Sequence, residues 1–211
     1  MFKSFYLILE FLLLFIAMPV LMFYRIVPNV PIPYLIVVAL GAMVILRRDR
    51  NFDVDTLLST RGVAPNLPLL LLRDVVFLIF LALAVRIFAP QLLFSLMKRS
   101  LGLWVLIMVF YPLVSVYPQE LLYRAFFFHR YRPVFGSGWP MFIASACAFG
   151  FAHVIFGNWI AVALCVIGGL LFALTYQNSR SLLLTCIDHA LFGNFLFTIG
   201  LGQFFYHGSR L

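Results

Sequence analysis

Apolar residues run along this chain in long blocks separated by short polar clusters, and the block lengths point to a membrane. A bilayer crossing takes roughly 20 residues of helix. The sequence supplies such runs at about 5–24, 28–46, 68–89, 101–128, 139–156, 159–177 and 181–200. This pattern predicts an all-α, polytopic integral membrane protein with about seven transmembrane helices. The range is six to eight, because spans two and four contain prolines. The longest polar interruption, 47–66, carries four Arg and three Asp and is too short for a second domain, so residues 1–211 read as a single transmembrane domain. Span one has no small-residue cleavage site behind it and runs into Tyr24 and Arg25, so it reads as a retained anchor.

Composition agrees with the pattern. Of 211 residues, 64% are hydrophobic and 10% charged, against about 45–50% and about 25% in soluble domains, so lipid is the natural solvent for most of the surface. The net charge of +8 comes from 15 Lys and Arg scattered between apolar runs, with no continuous basic face. That distribution excludes a nucleic-acid partner and serves topology instead. A cytoplasmic N-terminus puts Lys3, Arg47, Arg48, Arg50, Arg61, Arg73, Arg130, Arg132 and Arg180 inside, against Arg25, Lys98, Arg99 and Arg210 outside. The expected location is the inner, or plasma, membrane of a bacterium. Cys147, Cys165 and Cys186 lie in apolar runs without C-x-x-C spacing, so neither a disulfide framework nor a structural zinc site follows.

Chemistry is to be sought among the polar residues inside the spans, since an ionisable group there costs about 2.5–3.5 kcal/mol on insertion scales. Glu10 and Glu120 are the only glutamates. Glu120 and Arg124, four apart, share a helix face at salt-bridge distance. His153 and His189 fall on two different spans, each in a run ending Phe-Gly-Asn. Asp188 either orients His189 or caps a local distortion, Asp74 beside Arg73 reads as a membrane-surface anchor, and Glu10 as a snorkelling residue or a partner for Arg86. A zinc protease of the H-E-x-x-H type is excluded, because no such string occurs. A serine nucleophile has no candidate beyond the Gly136-Ser137-Gly138 loop, and Asp188 lacks an obvious Asp partner for an aspartyl dyad. A glutamate, two histidines and an asparagine remain, a set suited to activating water and stabilising an oxyanion.

These residues resemble the CAAX-protease and bacteriocin-processing (CPBP, or Abi) intramembrane endopeptidases, whose motifs are E-E-x-x-x-R, F-x-x-x-H and H-x-x-x-N on successive helices. Here they read Gln119 to Arg124, Phe149 to His153, and a third beginning at His189, within about residues 101–200. The resemblance implies a glutamic-type peptidase acting on a membrane-embedded or lipid-linked peptide, with no cofactor and no required metal. It implies that Glu120 and His153 activate water, Gln119 positions it, Arg124 pairs with Glu120, and His189 with Asn194 forms the oxyanion site.

Two departures qualify this. The motif's first glutamate is Gln119, which cannot act as a general base, and a non-proteolytic scaffold that binds peptides in the same cavity is the alternative. A transporter is a third reading, disfavoured because the polar residues concentrate in one half. The fourth residue after His189 is Gly193, and asparagine comes one later, about 140° from His189 on a regular helix. A bulge near Gly193 would realign the pair. In the spans, Glu120 sits toward the inner half and His153 toward the outer half, so they meet only if span four reaches far inward or span five starts deep. The charge distribution predicts that the 47–66 and 130–138 loops are cytoplasmic. Single cysteines at Ser59 and Ser137 should react only with reagent applied from the cytoplasmic side, and labelling from the opposite side alone would invert the topology.

Overall fold

A computed structural model describes residues 2–206, and those residues form helices and turns without a strand. Each apolar run becomes one helical segment: α1 (Ser4–Phe23), α2 (Pro31–Arg48), α3 (Val63–Phe88), α4 (Leu101–Arg130), α5 (Trp139–Phe156), α6 (Trp159–Ser179) and α7 (Leu182–Thr198). The first six are long and apolar enough to cross a membrane, whereas α7, with 17 residues, is shorter. The outward surface is lipid-like, with Phe88 84% and Trp159 79% exposed, while the charged Asp74, Glu120, Arg124 and Asp188 are buried. The protein is therefore an integral membrane protein, apolar outside and polar at selected points within.

Local sequence sets the helix ends. Ser100, Asn158 and Ser181 cap α4, α6 and α7 by accepting from the backbone N–H of Leu103, Ala161 and Leu184. Pro31 opens α2, where a missing N–H costs nothing. Within α4, Pro112 and Pro118 each remove a ladder donor. The helix answers with wide π turns at Pro112–Val116 and Leu121–Phe126, on either side of Tyr117–Glu120. π turns of this kind redirect side chains around the short segment they flank.

At thirty residues, α4 is about 45 Å long, well beyond the thickness of a bilayer core. Helices α5 and α6 form a hairpin whose backbones nearly touch: a Cβ on Gly150 would strike the Val162 carbonyl and the Val166 side chain, and one on Gly169 would crowd Ala146. Small residues let membrane helices approach this closely. The α5 register fixed here places Phe149 and His153 against α6 and α7.

The 47–66 loop packs on the ends of α4, α6 and α7. Asp49 Oδ2 lies 2.8 Å from His129 Nε2, an interaction that holds its carboxyl down to about 2. Phe52 packs edge-on against the His129 ring, and Ser181 Oγ donates to the Ser59 carbonyl at 2.6 Å.

Three expectations for charged residues change. Arg73, counted among the cytoplasmic charges at the start of span three, lies part-buried within α3, and its Nη2 reaches Asp188 Oδ1 at 2.6 Å and Asp74 Oδ1 at 2.7 Å. Asp74 is therefore a buried member of an ion cluster rather than a surface anchor. Glu10 pairs with Arg130 at 2.7 Å and accepts from Tyr131, not from Arg86, because α1 packs beside the inner end of α4. Arg210 and the side chain of Lys3 lie outside the described residues.

Asp188 is the hub of the cluster, taking Arg73 on one oxygen and the Thr175 hydroxyl, at 2.5 Å, on the other. It neither caps nor orients the adjacent histidine; it joins α7 to α3 and α6. Asp188→Ala leaves Arg73 with one carboxylate fewer and should destabilise the protein by about 3–5 kcal/mol, as when one partner of a buried pair is removed. Thermal unfolding in detergent should show a clearly lower midpoint for Asp188→Ala than for Asp188→Asn, and equal midpoints would contradict the hub role.

Candidate active site

Five of the six predicted site residues, all but Asn194, converge on the region between α4, α5 and α7, in two layers. The inner layer is ionic and closed. Glu120 and Arg124 are fully buried. Glu120 Oε1 lies 2.7 Å from His189 Nδ1, and Oε2 lies 3.2 Å from Arg124 Nε, an ion pair whose angle is not that of a hydrogen bond. Because a carboxylate only accepts, His189 carries a proton on Nδ1. Arg124 Nη1 donates to Ser145 Oγ at 2.6 Å and to the Tyr123 carbonyl at 3.1 Å. Its guanidinium carbon also sits 5.4 Å and 6.0 Å from the ring centres of Phe149 and Phe172. Those rings supply the favourable faces that the remaining N–H groups meet.

The outer layer faces a cavity of about 500 Å³, within the size range of small-molecule sites, whose lining is mostly apolar. Gln119, His153, His189, Tyr111 and Ser115 are among its polar residues, with Tyr34, Tyr123 and Tyr206 also in the lining. Glu120 does not line it. Adjacent residues on a helix point about 100° apart, so Gln119 looks into the cavity while Glu120 turns to the ionic layer.

His153 sits where α5 passes from α-helix to a 3₁₀ turn. Its Nδ1 lies 2.8 Å from the Phe149 carbonyl four residues back. A carbonyl only accepts, so Nδ1 carries the hydrogen and Nε2 keeps its lone pair. Gln119 Nε2 donates to Ser115 Oγ at 2.6 Å, and its carbonyl oxygen Oε1 has no hydrogen-bond partner among the described residues. His153 Nε2 and Gln119 Oε1 are two acceptors belonging to residues of one cavity.

Asn194 stands apart. Helix α7 is α-helical throughout, so the bulge expected near Gly193 does not form. Asn194 Nδ2 instead donates to the Met108 carbonyl at 3.3 Å, bracing α7 on α4, and Gly193 faces the cavity in its place. Sequence reasoning missed Tyr111, whose hydroxyl is 3.0 Å from His189 Nε2. The only signal for it was a polar ring one residue before a helix-disrupting proline. Among the described residues no three His, Cys, Asp or Glu side chains cluster as a metal site would require.

A buried ion pair on one helix, a histidine bound to a backbone carbonyl on the next, and a second histidine on a third thus meet beside one cavity. Residues 100–195, a little under half of the chain, match the family described as Type II CAAX prenyl endopeptidase Rce1-like, and this segment carries all six predicted site residues. A search of curated proteins and of solved structures finds no match.

Proposed function

We propose that the protein is an intramembrane endopeptidase that hydrolyses a peptide bond in a membrane-embedded or lipid-linked peptide, with His153 as the base. The observation that carries this reading is the 2.8 Å contact of His153 Nδ1 with the Phe149 carbonyl, which in a neutral imidazole puts the hydrogen on Nδ1 and leaves Nε2 to accept one. A water bound in the cavity donates one hydrogen to His153 Nε2 and the other to Gln119 Oε1, turning a lone pair toward the substrate carbonyl. Attack on the carbonyl carbon moves the first proton to His153. As the C–N bond breaks, His153 returns that proton to the leaving amine, and the products are a carboxylic acid and an amine, which exchange the remaining water proton to become carboxylate and ammonium.

In this scheme Glu120 does not touch water. With Arg124 it forms a neutral pair that fixes His189, which stands beside the developing oxyanion, while Asn194 braces the helix that carries His189. The apolar lining suits the lipid chain or apolar flank of the substrate.

The second reading, a peptide-binding scaffold without hydrolysis, is favoured by one specific observation: the only carboxylate of the three motifs is engaged by His189 and Arg124. Activity separates the two. Purified protein in nanodiscs, offered a farnesylated CAAX peptide and single-pass membrane peptides, should cut at least one of them. His153→Ala should lower that rate by about 10²–10⁴-fold, the usual worth of a general base. Binding without cutting by the natural sequence, with cutting appearing in Gln119→Glu, would establish the scaffold instead.

A further inference from the structure

We propose that Tyr111 is the hydrogen-bond donor that receives the substrate oxyanion, a catalytic role made possible by the missing side chain at Gly193; this rests on the hydrolytic reading above. Tyr111 ends the first α-helical stretch of α4, immediately before the Pro112 π turn, and lines the same cavity as Gln119 and His153. Its partner His189 lies behind it at 3.0 Å, and His189 is itself anchored at 2.7 Å to Glu120. A continuous hydrogen-bonded line thus runs from the buried Arg124–Glu120 pair through the imidazole to a phenol on the cavity wall.

The space that Tyr111 occupies is set by α7. A Cβ built on Gly193 would overlap the Tyr111 hydroxyl and the ring carbons next to it. Gly193 is one helical turn beyond His189 on the same face. A side chain there would fill the position now held by the phenol. The ring is kept in place by edge-to-face packing on Phe197 at 5.5 Å and on His189 at 6.0 Å. Asn194, one residue further, is turned away to the Met108 carbonyl, so it presents no donor here.

In the ground state, with the His189 hydrogen on Nδ1, the phenol donates to His189 Nε2, and the cavity keeps a hydroxyl oxygen as an acceptor. As the adduct's oxygen becomes negative, the phenol hydrogen turns to that stronger acceptor by rotation about its C–O bond, with no added proton. A rigidly held O–H is the type of donor that stabilises a developing negative oxygen. The same pair therefore serves the ground state and the tetrahedral adduct.

The test uses Tyr111→Phe, which keeps the ring and its packing and removes only the donor. With the peptide that the natural protein cuts, the variant should keep KM within about threefold and lose about 10²–10³-fold in kcat, the range for one oxyanion donor. A phosphinic analogue of the farnesylated CAAX peptide, tetrahedral and negative at phosphorus, should lose affinity in Tyr111→Phe while the uncut peptide does not. A purely structural tyrosine would move KM or the unfolding midpoint instead. As a rescue, Tyr111→Ala with Gly193→Asn places an amide donor in the vacated space and should exceed Tyr111→Ala alone by at least tenfold. Tyr111→Phe with unchanged kcat and analogue affinity overturns this role while leaving the peptidase reading intact. A natural protein that neither cuts the peptides nor binds the analogue overturns the peptidase reading, and Tyr111's role with it.

Discussion

The contact between Glu120, Arg124 and His189 is the constraint around which the rest of the molecule is arranged. A carboxylate and a guanidinium cannot be left unpaired among membrane helices, where each would cost several kcal/mol. Both are completely buried, so α4 must present them to neighbours that supply the missing partners. His189 from α7, Ser145 from α5 and the rings of Phe149 and Phe172 do so. Satisfying this pair fixes the rotation of α4, and that rotation turns Gln119 into the cavity on the adjacent face. Folding and site geometry therefore have one cause.

A second ionic cluster fixes α7. Asp188 precedes His189 and points elsewhere, to Arg73 of α3 and Thr175 of α6. Because successive side chains on a helix are about 100° apart, Asp188 faces α3 and α6 while His189 faces α4. The wide turns beside Pro112 and Pro118 then give α4 the local freedom to bring Tyr111 and Glu120 to opposite nitrogens of that ring. The short α7 and the close α5–α6 hairpin complete the framework in which the buried polar groups meet.

The helical segments were readable from the apolar blocks because bilayer thickness leaves few other lengths available. The Glu120–Arg124 pair was readable too, since the i, i+4 spacing is a property of the helix itself. What spacing alone did not reveal is which neighbour takes each group. Arg73 and Glu10 looked like surface charges because their partners, Asp188 and Arg130, are over a hundred positions away in sequence. The third motif misled in another way: its asparagine braces α7 on a backbone carbonyl, and the polar atom beside His189 comes from Tyr111 on α4. No periodicity on α7 could disclose a side chain arriving from another helix.

The central claim is that His153, with no carboxylate of its own, is held as the cavity's base by the Phe149 carbonyl. Nitrogen-15 NMR of histidine-labelled protein in nanodiscs tests it directly, with His153→Gln identifying the signals that belong to that ring. The account predicts a neutral His153 protonated on Nδ1, with Nε2 at the shift of a bare imidazole nitrogen. A His153 found protonated on Nε2 would contradict it, because the nitrogen assigned to take the proton from water would already hold one.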